Sequence, residues 1–322
     1  MADRFIVAPE AAGQRVDRFL TEAYPGRSRR RVRAVIDDGA VRVAGRRVRA
    51  GELVRAGDEV VVERPPPDDA ALRPTPEPAA PLTVLHEDAA ILALHKPAGV
   101  ATHPLRAGEP GSLASALVAR YPECLAIGDD PREAGLAHRL DIDTSGVILA
   151  ARTPDAWRNL REQFSAHRVE KRYLALCAAA PGFSASVGLS GEVRAPIGHD
   201  RADRRRARVC ADHELAVRLG AQAAHTAWRI VREVRLPRRE VALYLVEATA
   251  STGRMHQVRA HLAFVGLPLA GDALYGEGTP PSPLDERHLL HAEAVSFDHP
   301  LTGVRMTIQA PLPTVAGWLT AG

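Results

Sequence analysis

Near the start of the chain apolar residues fall at helical spacing, with Val16, Phe19 and Leu20 on one face and Val32, Val35 and Ile36 on another after Ser28, a fitting N-cap. Two short helices are predicted there. Gly39 ends the second, Val41 and Val43 alternate into a strand, Ala44-Gly45 makes a turn, and Val60-Val61-Val62 after Gly57-Asp58 makes another strand. Residues 65–81, PPPDDAALRPTPEPAAP, hold seven prolines and no sustained apolar period, the mark of a semi-rigid linker about which the preceding module moves as a unit. Beyond it, short apolar runs (Thr83-Val84-Leu85, Ile91 to Leu94, Tyr173 to Leu176, Val241 to Val246) outnumber helical stretches, of which Leu113 to Tyr121, Ala156 to Ala166 and Met255 to Phe264 have the clearest period. Many strands with few interleaved helices predict an α+β fold rather than a wound parallel sheet. The domains read as 1–64, a linker over 65–81, and a larger domain over 82–322.

One polar turn between apolar segments carries the chemistry. In His138-Arg139-Leu140-Asp141-Ile142-Asp143-Thr144-Ser145-Gly146, Gly135-Leu136-Ala137 leads in and Val147-Ile148-Leu149-Ala150-Ala151 leads out as a buried-strand run, so Asp141 is held on rigid scaffold. Thr144 and Ser145 are expected to bond local backbone, and Gly146 to permit the turn. Further along, positions 255, 258, 259 and 262 share one face of the predicted helix, so Arg259 points inward beside Met255, Val258 and Leu262. An arginine on an apolar face demands an acidic partner.

Composition adds three constraints. The chain has 322 residues, enough for two cores, and its apolar runs fall short of the roughly 18 residues a membrane span requires. MADRFIVAPE lacks the layout of a signal peptide, so the cytoplasm is the expected location. Cys124, Cys177 and Cys210 show no paired spacing, and His256 and His261 lie five apart without carboxylates, so neither disulfides nor a metal site are expected. The overall charge is +3, yet between Arg27 and Arg49 nine arginines face only Asp37 and Asp38, a local net of +7. Arg27, Arg29, Arg30, Arg31 and Arg33 cluster at the second helix, and Arg42, Arg46, Arg47 and Arg49 on the hairpin. Such density suits phosphate neutralisation by counterion release. Of 42 basic residues only Lys96 and Lys171 are lysine, which points to a compact ammonium being needed at each.

The string HRLD, followed after two residues by TSG, resembles the signature of the RluA-type pseudouridine synthases, which isomerise uridine in ribosomal or transfer RNA. Four further segments match in order: His95-Lys96-Pro97-Ala98-Gly99 with His103-Pro104; Lys171-Arg172-Tyr173; Gly253 to Leu262; and Gly271-Asp272-Ala273-Leu274-Tyr275-Gly276. Leu290-His291-Ala292, Phe297 to Pro300 and Ala310 to Pro313 continue the pattern. The N-terminal module resembles the S4-like RNA-binding domain that such enzymes often carry. The match departs at Met255, where threonine or lysine is frequent, and at the arginine run 204–208, a phosphate clamp or a solvated loop.

The resemblance implies a large mixed, mostly antiparallel sheet crossed by a central cleft. It makes Asp141 the catalytic carboxylate, Arg259 its ion-pair partner, and Tyr173 the aromatic lying against the target uracil. Arg139, Lys171, His256 and Gln257 become substrate-binding residues, with Arg139 able to replace an extruded nucleotide or hold its phosphate. His103, His291 and His299 are expected as scaffold. Pseudouridine formation breaks the ribose bond to N1 of uracil and remakes it at C5, so it needs neither redox cofactor nor metal. It needs an ionised carboxylate able to attack the nucleoside or take a ribose proton, and a nearby arginine favours ionisation. Tyrosine has an unperturbed pKa near 10 and would need tuning to act as a base. Structured RNA is the expected partner of a monomeric enzyme, with large-subunit ribosomal RNA favoured over transfer RNA. A non-catalytic RNA-binding protein is the rival reading, and a metal-dependent nuclease a weaker one, since clustered metal ligands are missing from the sequence.

Overall fold

The early apolar period forms two helices, α1 (Val16–Ala23) and α2 (Arg29–Asp37), which bury Val16, Leu20, Val32, Val35 and Ile36. They share a core with an antiparallel sheet of order β1 (Asp3–Ile6), β4 (Glu59–Val62), β2 (Val41–Val43) and β3 (Arg46–Arg47). Val60 and Val62 alternate inward with Val41 and Val43, as their period of two requires. Ser28 stands at the N-cap of α2 without a side-chain capping bond, and β1, only four residues long, is not evident in the sequence. The computed structural model describes residues 2–66, 70–235, 242–276 and 287–312. Val241, Pro313 and the Arg30 side chain, all named above, lie outside the described residues. The linker is tied at both ends: Arg27 donates to the Pro66 carbonyl, and Glu77 bonds Ser115 O and Gly111 N–H in the larger domain.

Past the linker, the described strands of the large sheet run in the order β5 (Thr83–Glu87), β6 (Ile91–Lys96), β7 (Ser145–Ala151), β14 (Leu290–Asp298), β8 (Glu170–Ala178), β13 (Leu243–Ala250), β12 (Thr226–Val234) and β9 (Ser190–Val193), with β15 (Arg305–Gln309) also paired to β14. Among the described strands only β7 and β14 pair in parallel, so the sheet is mixed and mostly antiparallel, as the resemblance implies. A separate hairpin joins β10 (Ile197–His199) to β11 (Ala207–Val209). The described α-helices here are α3 (Leu113–Arg120), α4 (Pro154–Ser165), α5 (His213–Leu219) and α6 (Gln257–Phe264). Among the described residues, no helix is long and apolar enough to cross a membrane.

Strands β6 and β7 are buried on both faces, which is why they read as unbroken apolar runs. Leu92, Leu94 and Ile148 pack in one core with Leu117 of α3 and Leu262 of α6, whereas Ile91, Ala93, Val147 and Leu149 pack in another with Trp157 and Leu160 of α4. Helix α4 starts where its sequence dictates: Thr153 Oγ1 accepts the Ala156 N–H and Pro154 occupies the first turn.

Gly146 lies inside β7, opposite Ala292 of β14, rather than making a turn. Its φ is +126°, and a Cβ there would collide with the Ala292 backbone. Gly146→Ala is therefore expected to cost roughly 3 kcal/mol in urea unfolding, because two paired strands must separate to admit one methyl group. A loss below about 0.5 kcal/mol, the level of an ordinary surface change, would contradict that reading.

Candidate active site

The loop leading into β7, the first half of β8 and the end of β13 converge at one edge of the large core, and a cleft of about 830 Å³ opens there. Five cationic side chains line it, Arg139, Arg161, Lys171, Arg254 and Arg259, against a single carboxylate among the described lining residues, Asp141. A cleft of that charge suits a polyanion.

The loop bearing Asp141 is pinned along its length. Thr144 N–H donates to Asp141 O at 3.1 Å, Thr102 Oγ1 bonds both the N–H and the carbonyl of Leu140, and Gly99 N–H donates to Ile142 O. Thr144 and Ser145 do not bond local backbone through their side chains. They reach His288 Nε2 at 3.3 Å and His291 Nδ1 at 2.9 Å, contacts created by the parallel approach of β14. Lys96 is fully buried behind the loop and donates to the carbonyls of Pro97, Val100 and Ile142, three acceptors for the three hydrogens of an ammonium. Burial pulls its pKa down to about 7, opposed by Asp143 and Asp141.

Asp141 keeps 22% of its side chain exposed and accepts a hydrogen bond from Arg259 Nη1 at 3.0 Å. The same guanidinium makes a bidentate pair with Asp272, at 2.7 and 2.8 Å. One arginine thus bridges a cleft carboxylate and a fully buried one. Burial pushes the Asp272 carboxyl up, but the hydrogen bonds and charge of Arg259 outweigh it and leave the pKa below the usual carboxylate value. Burial likewise opposes the charge of Arg259, and the two acids more than compensate. Helix α6 begins at Gln257, two residues later than the apolar pattern suggests, because His256 takes a left-handed conformation with φ of 52°. Met255 therefore sits before the helix and packs against the small cluster of Ile197, Ala207 and Ala224.

Tyr173 and Lys171 both face inward from β8, as their spacing requires. Tyr173 lines the cleft, and among the described residues its hydroxyl has no hydrogen-bond partner. Burial, then the nearby Asp141, push its pKa up, opposite to the tuning a base requires. Lys171 donates to Thr252 O, with a pKa lowered to about 8 by burial and by Arg254. Arg139 is exposed at the cleft and, among the described residues, makes no ion pair. His138, beside it, is fixed as a neutral ring by accepting the Leu149 N–H, and burial holds its pKa at about 3. Gln257 lines the cleft but is fully engaged: its amide donates to His225 O and Thr226 Oγ1 and accepts from Thr252 Oγ1 and Arg254 N–H. His291 and His299 are hydrogen-bonded scaffold, through Ser145 and Asp88. Among the described residues no group of side chains is spaced to hold a metal ion.

In the N-terminal domain the arginines are organised by Asp17, a fully buried carboxylate not singled out in the sequence. Arg15 and Arg29 both hydrogen-bond it and Arg33 lies 3.9 Å away. Arg46 pairs with half-buried Glu52, and Arg47 is exposed. Asp272, Tyr275, Arg161 and Arg254 are further site residues that sequence reasoning missed. For the first two the available signal was the Gly271–Gly276 segment.

The family model for RNA pseudouridylate synthase matches residues 90–264, and that for the S4 domain matches residues 14–60. An RNA pseudouridine synthase of Chloroflexus aurantiacus is 38% identical over 308 residues, covering 96% of this chain and 89% of that protein. Ribosomal large subunit pseudouridine synthase D of Xanthomonas campestris pv. campestris is 35% identical over 319 residues, covering 96% and 88%. The structure of human RNA pseudouridylate synthase domain containing 1 shares the fold, with a TM-score of 0.56 at 22% identity over 74% of this chain and 88% of that one.

Proposed function

Given that this chain belongs to the RNA pseudouridylate synthase family, and is an isomerase by that membership, we propose that it converts specific uridines of large-subunit (23S) ribosomal RNA to pseudouridine. Asp141 is the catalytic carboxylate. The observation that carries this role is its position as the one described acid in a cationic cleft, oriented by Arg259 and still partly open. The target is supported by relatives named ribosomal large subunit pseudouridine synthase D, similar along nearly the whole chain.

In this reading, a uridine leaves its stack and enters the cleft, with Arg139 free to fill the gap or hold phosphate and Tyr173 against the base. Asp141 either attacks the nucleoside and is released again before product leaves, or takes a ribose proton and later returns it. The bond from ribose to N1 breaks, the ring turns, and the bond to C5 forms. The C5 hydrogen leaves as a proton while N1 gains one, so the reaction is balanced without any cofactor. Arg259 holds the carboxylate, Lys171 fixes the 252 turn, His256 presents its ring to the acid, and Gln257 ties together the loop entering α6.

Mapping pseudouridines in ribosomal and transfer RNA from cells with and without the gene tests the target. The expected result is loss from large-subunit RNA alone. Loss confined to transfer RNA would replace the target, and no loss in either would contradict the reading.

Arg27, Arg29, Arg30, Arg31, Arg33, Arg46 and Arg47 anchor the RNA through phosphates. Replacing Arg46 and Arg47 by glutamine in the full chain is expected to weaken binding and to flatten the plot of log affinity against log salt by about 1–2. An unchanged slope would remove these two from the interface.

A further inference from the structure

The hairpin β10–β11 flanks the cleft, and His199 at the end of β10 lines it. Its other strand is bonded at Ala207 by Tyr275. Tyr275 Oη accepts the Ala207 N–H at 2.6 Å, and lies 3.1 Å from His256 Nδ1 and 3.3 Å from Ala207 O. The Tyr275 ring packs with the guanidinium of Arg206 at 5.4 Å and that of Arg259 at 5.3 Å. This tyrosine therefore touches the arginine-rich hairpin, the arginine that orients Asp141, and the histidine beside it.

We propose that Tyr275 is a positioning residue that donates its hydroxyl proton to His256 Nδ1, fixing the His256 tautomer with its hydrogen on Nε2, directed at Asp141 and the cleft. A hydroxyl has one hydrogen to give and two lone pairs. One lone pair is taken by Ala207 N–H, and His256 Nδ1 is the nearer of the two acceptors for the hydrogen. The other end of the ring agrees. His256 Nε2 lies 3.8 Å from Asp141 Oδ2, where an N–H is attracted to the carboxylate and a bare lone pair is repelled. Burial lowers the pKa of His256, in keeping with a neutral ring that has a single tautomer to choose.

The consequence for the reaction rests on the proposed isomerase reading. A fixed Nε2–H beside Asp141 is a hydrogen-bond donor for an oxygen of the flipped nucleotide, and the same Tyr275 hydroxyl, by accepting the Ala207 N–H, couples that donor to the hairpin.

The test is nitrogen NMR of the full-length protein labelled with 15N-histidine, with the His256 signal identified by its absence in His256→Gln. In the wild type His256 is expected as the Nε2–H tautomer. Tyr275→Phe keeps the ring and its contacts with both arginines but removes the hydroxyl. It removes one of the two interactions that favour Nε2–H, so it is expected to raise the Nδ1–H fraction above that of the wild type while Asp141 retains part of the Nε2–H form, and to lower kcat about tenfold, with KM for RNA changed less than about twofold. An Nδ1–H tautomer in the wild type, or an unmoved tautomer in Tyr275→Phe, would overturn the assignment. A moved tautomer with unchanged kcat would overturn the positioning role. The tautomer is read without RNA, so failure to modify ribosomal RNA bears on the substrate alone and leaves the tautomer assignment supported.

Discussion

Asp141→Asn is expected to lower pseudouridine formation by at least about 10³-fold, measured as release of tritium from C5-labelled uridine in RNA, while RNA affinity changes less than about threefold. The two outcomes separate for a physical reason. Asparagine keeps the size of the side chain and an oxygen that accepts from Arg259 Nη1, and Arg259 retains its bidentate pair with Asp272. The loop stays pinned through Leu140, Ile142 and Thr144, none of which uses the Asp141 carboxylate. What disappears is the charge and basicity of the single described acid in the cleft, and removing a negative charge beside a polyanion does not weaken binding. Residual turnover within tenfold of wild type would remove Asp141 from the chemistry.

Arg259→Met is expected to act on both activity and folding. It strips Asp141 of its orienting donor, and turnover should fall by at least about 10²-fold. It also leaves Asp272, with a fully buried side chain, without its cation, at a cost of about 3–5 kcal/mol. The pH dependence has a definite sign. In the wild type the folded pKa of Asp272 is below its ordinary value of 3.8, so the pair contributes its full stability above that pH and loses it as pH falls through the folded pKa. Without the guanidinium, burial is opposed only by weaker influences, the N–H groups of Leu274 and Tyr275 and the charge of His288, so the folded pKa rises. The stability gap between variant and wild type should therefore narrow as pH drops from 7 toward 4 in urea unfolding. A constant gap would mean that Asp272 is not the group left unpaired. Arg259→Lys should recover only part of the loss, since a point charge cannot reproduce three directed bonds to two carboxylates.

The sequence made the loop bearing Asp141 legible because a polar turn between two apolar runs has few ways to fold, and the inward-facing Arg259 because an arginine among Val258 and Leu262 needs an acid. The two lysines in an arginine-rich chain were a compositional signal, and both are buried donors to backbone carbonyls. Asp272 was not legible as a partner. Within Gly271-Asp272-Ala273 it reads as a turn residue, and it does bond the N–H groups of Leu274 and Tyr275, but its second partner comes from the preceding helix. The contacts of Thr144 and Ser145 with His288 and His291 depend on β7 lying parallel to β14, a pairing across more than 140 residues that no local pattern encodes. Asp17 was hidden for a similar reason: an acid in the first turn of a helix looks like an ordinary dipole contact until Arg29 of the next helix folds onto it.

The most direct test of the central claim is a crystal structure of Asp141→Asn bound to a substrate RNA stem-loop. The target uridine is expected out of its stack, with its base against Tyr173 and its sugar about 3–3.5 Å from the side chain at 141. A uridine still stacked in the helix, or a cleft holding only phosphate with no nucleoside near residue 141, would contradict the account.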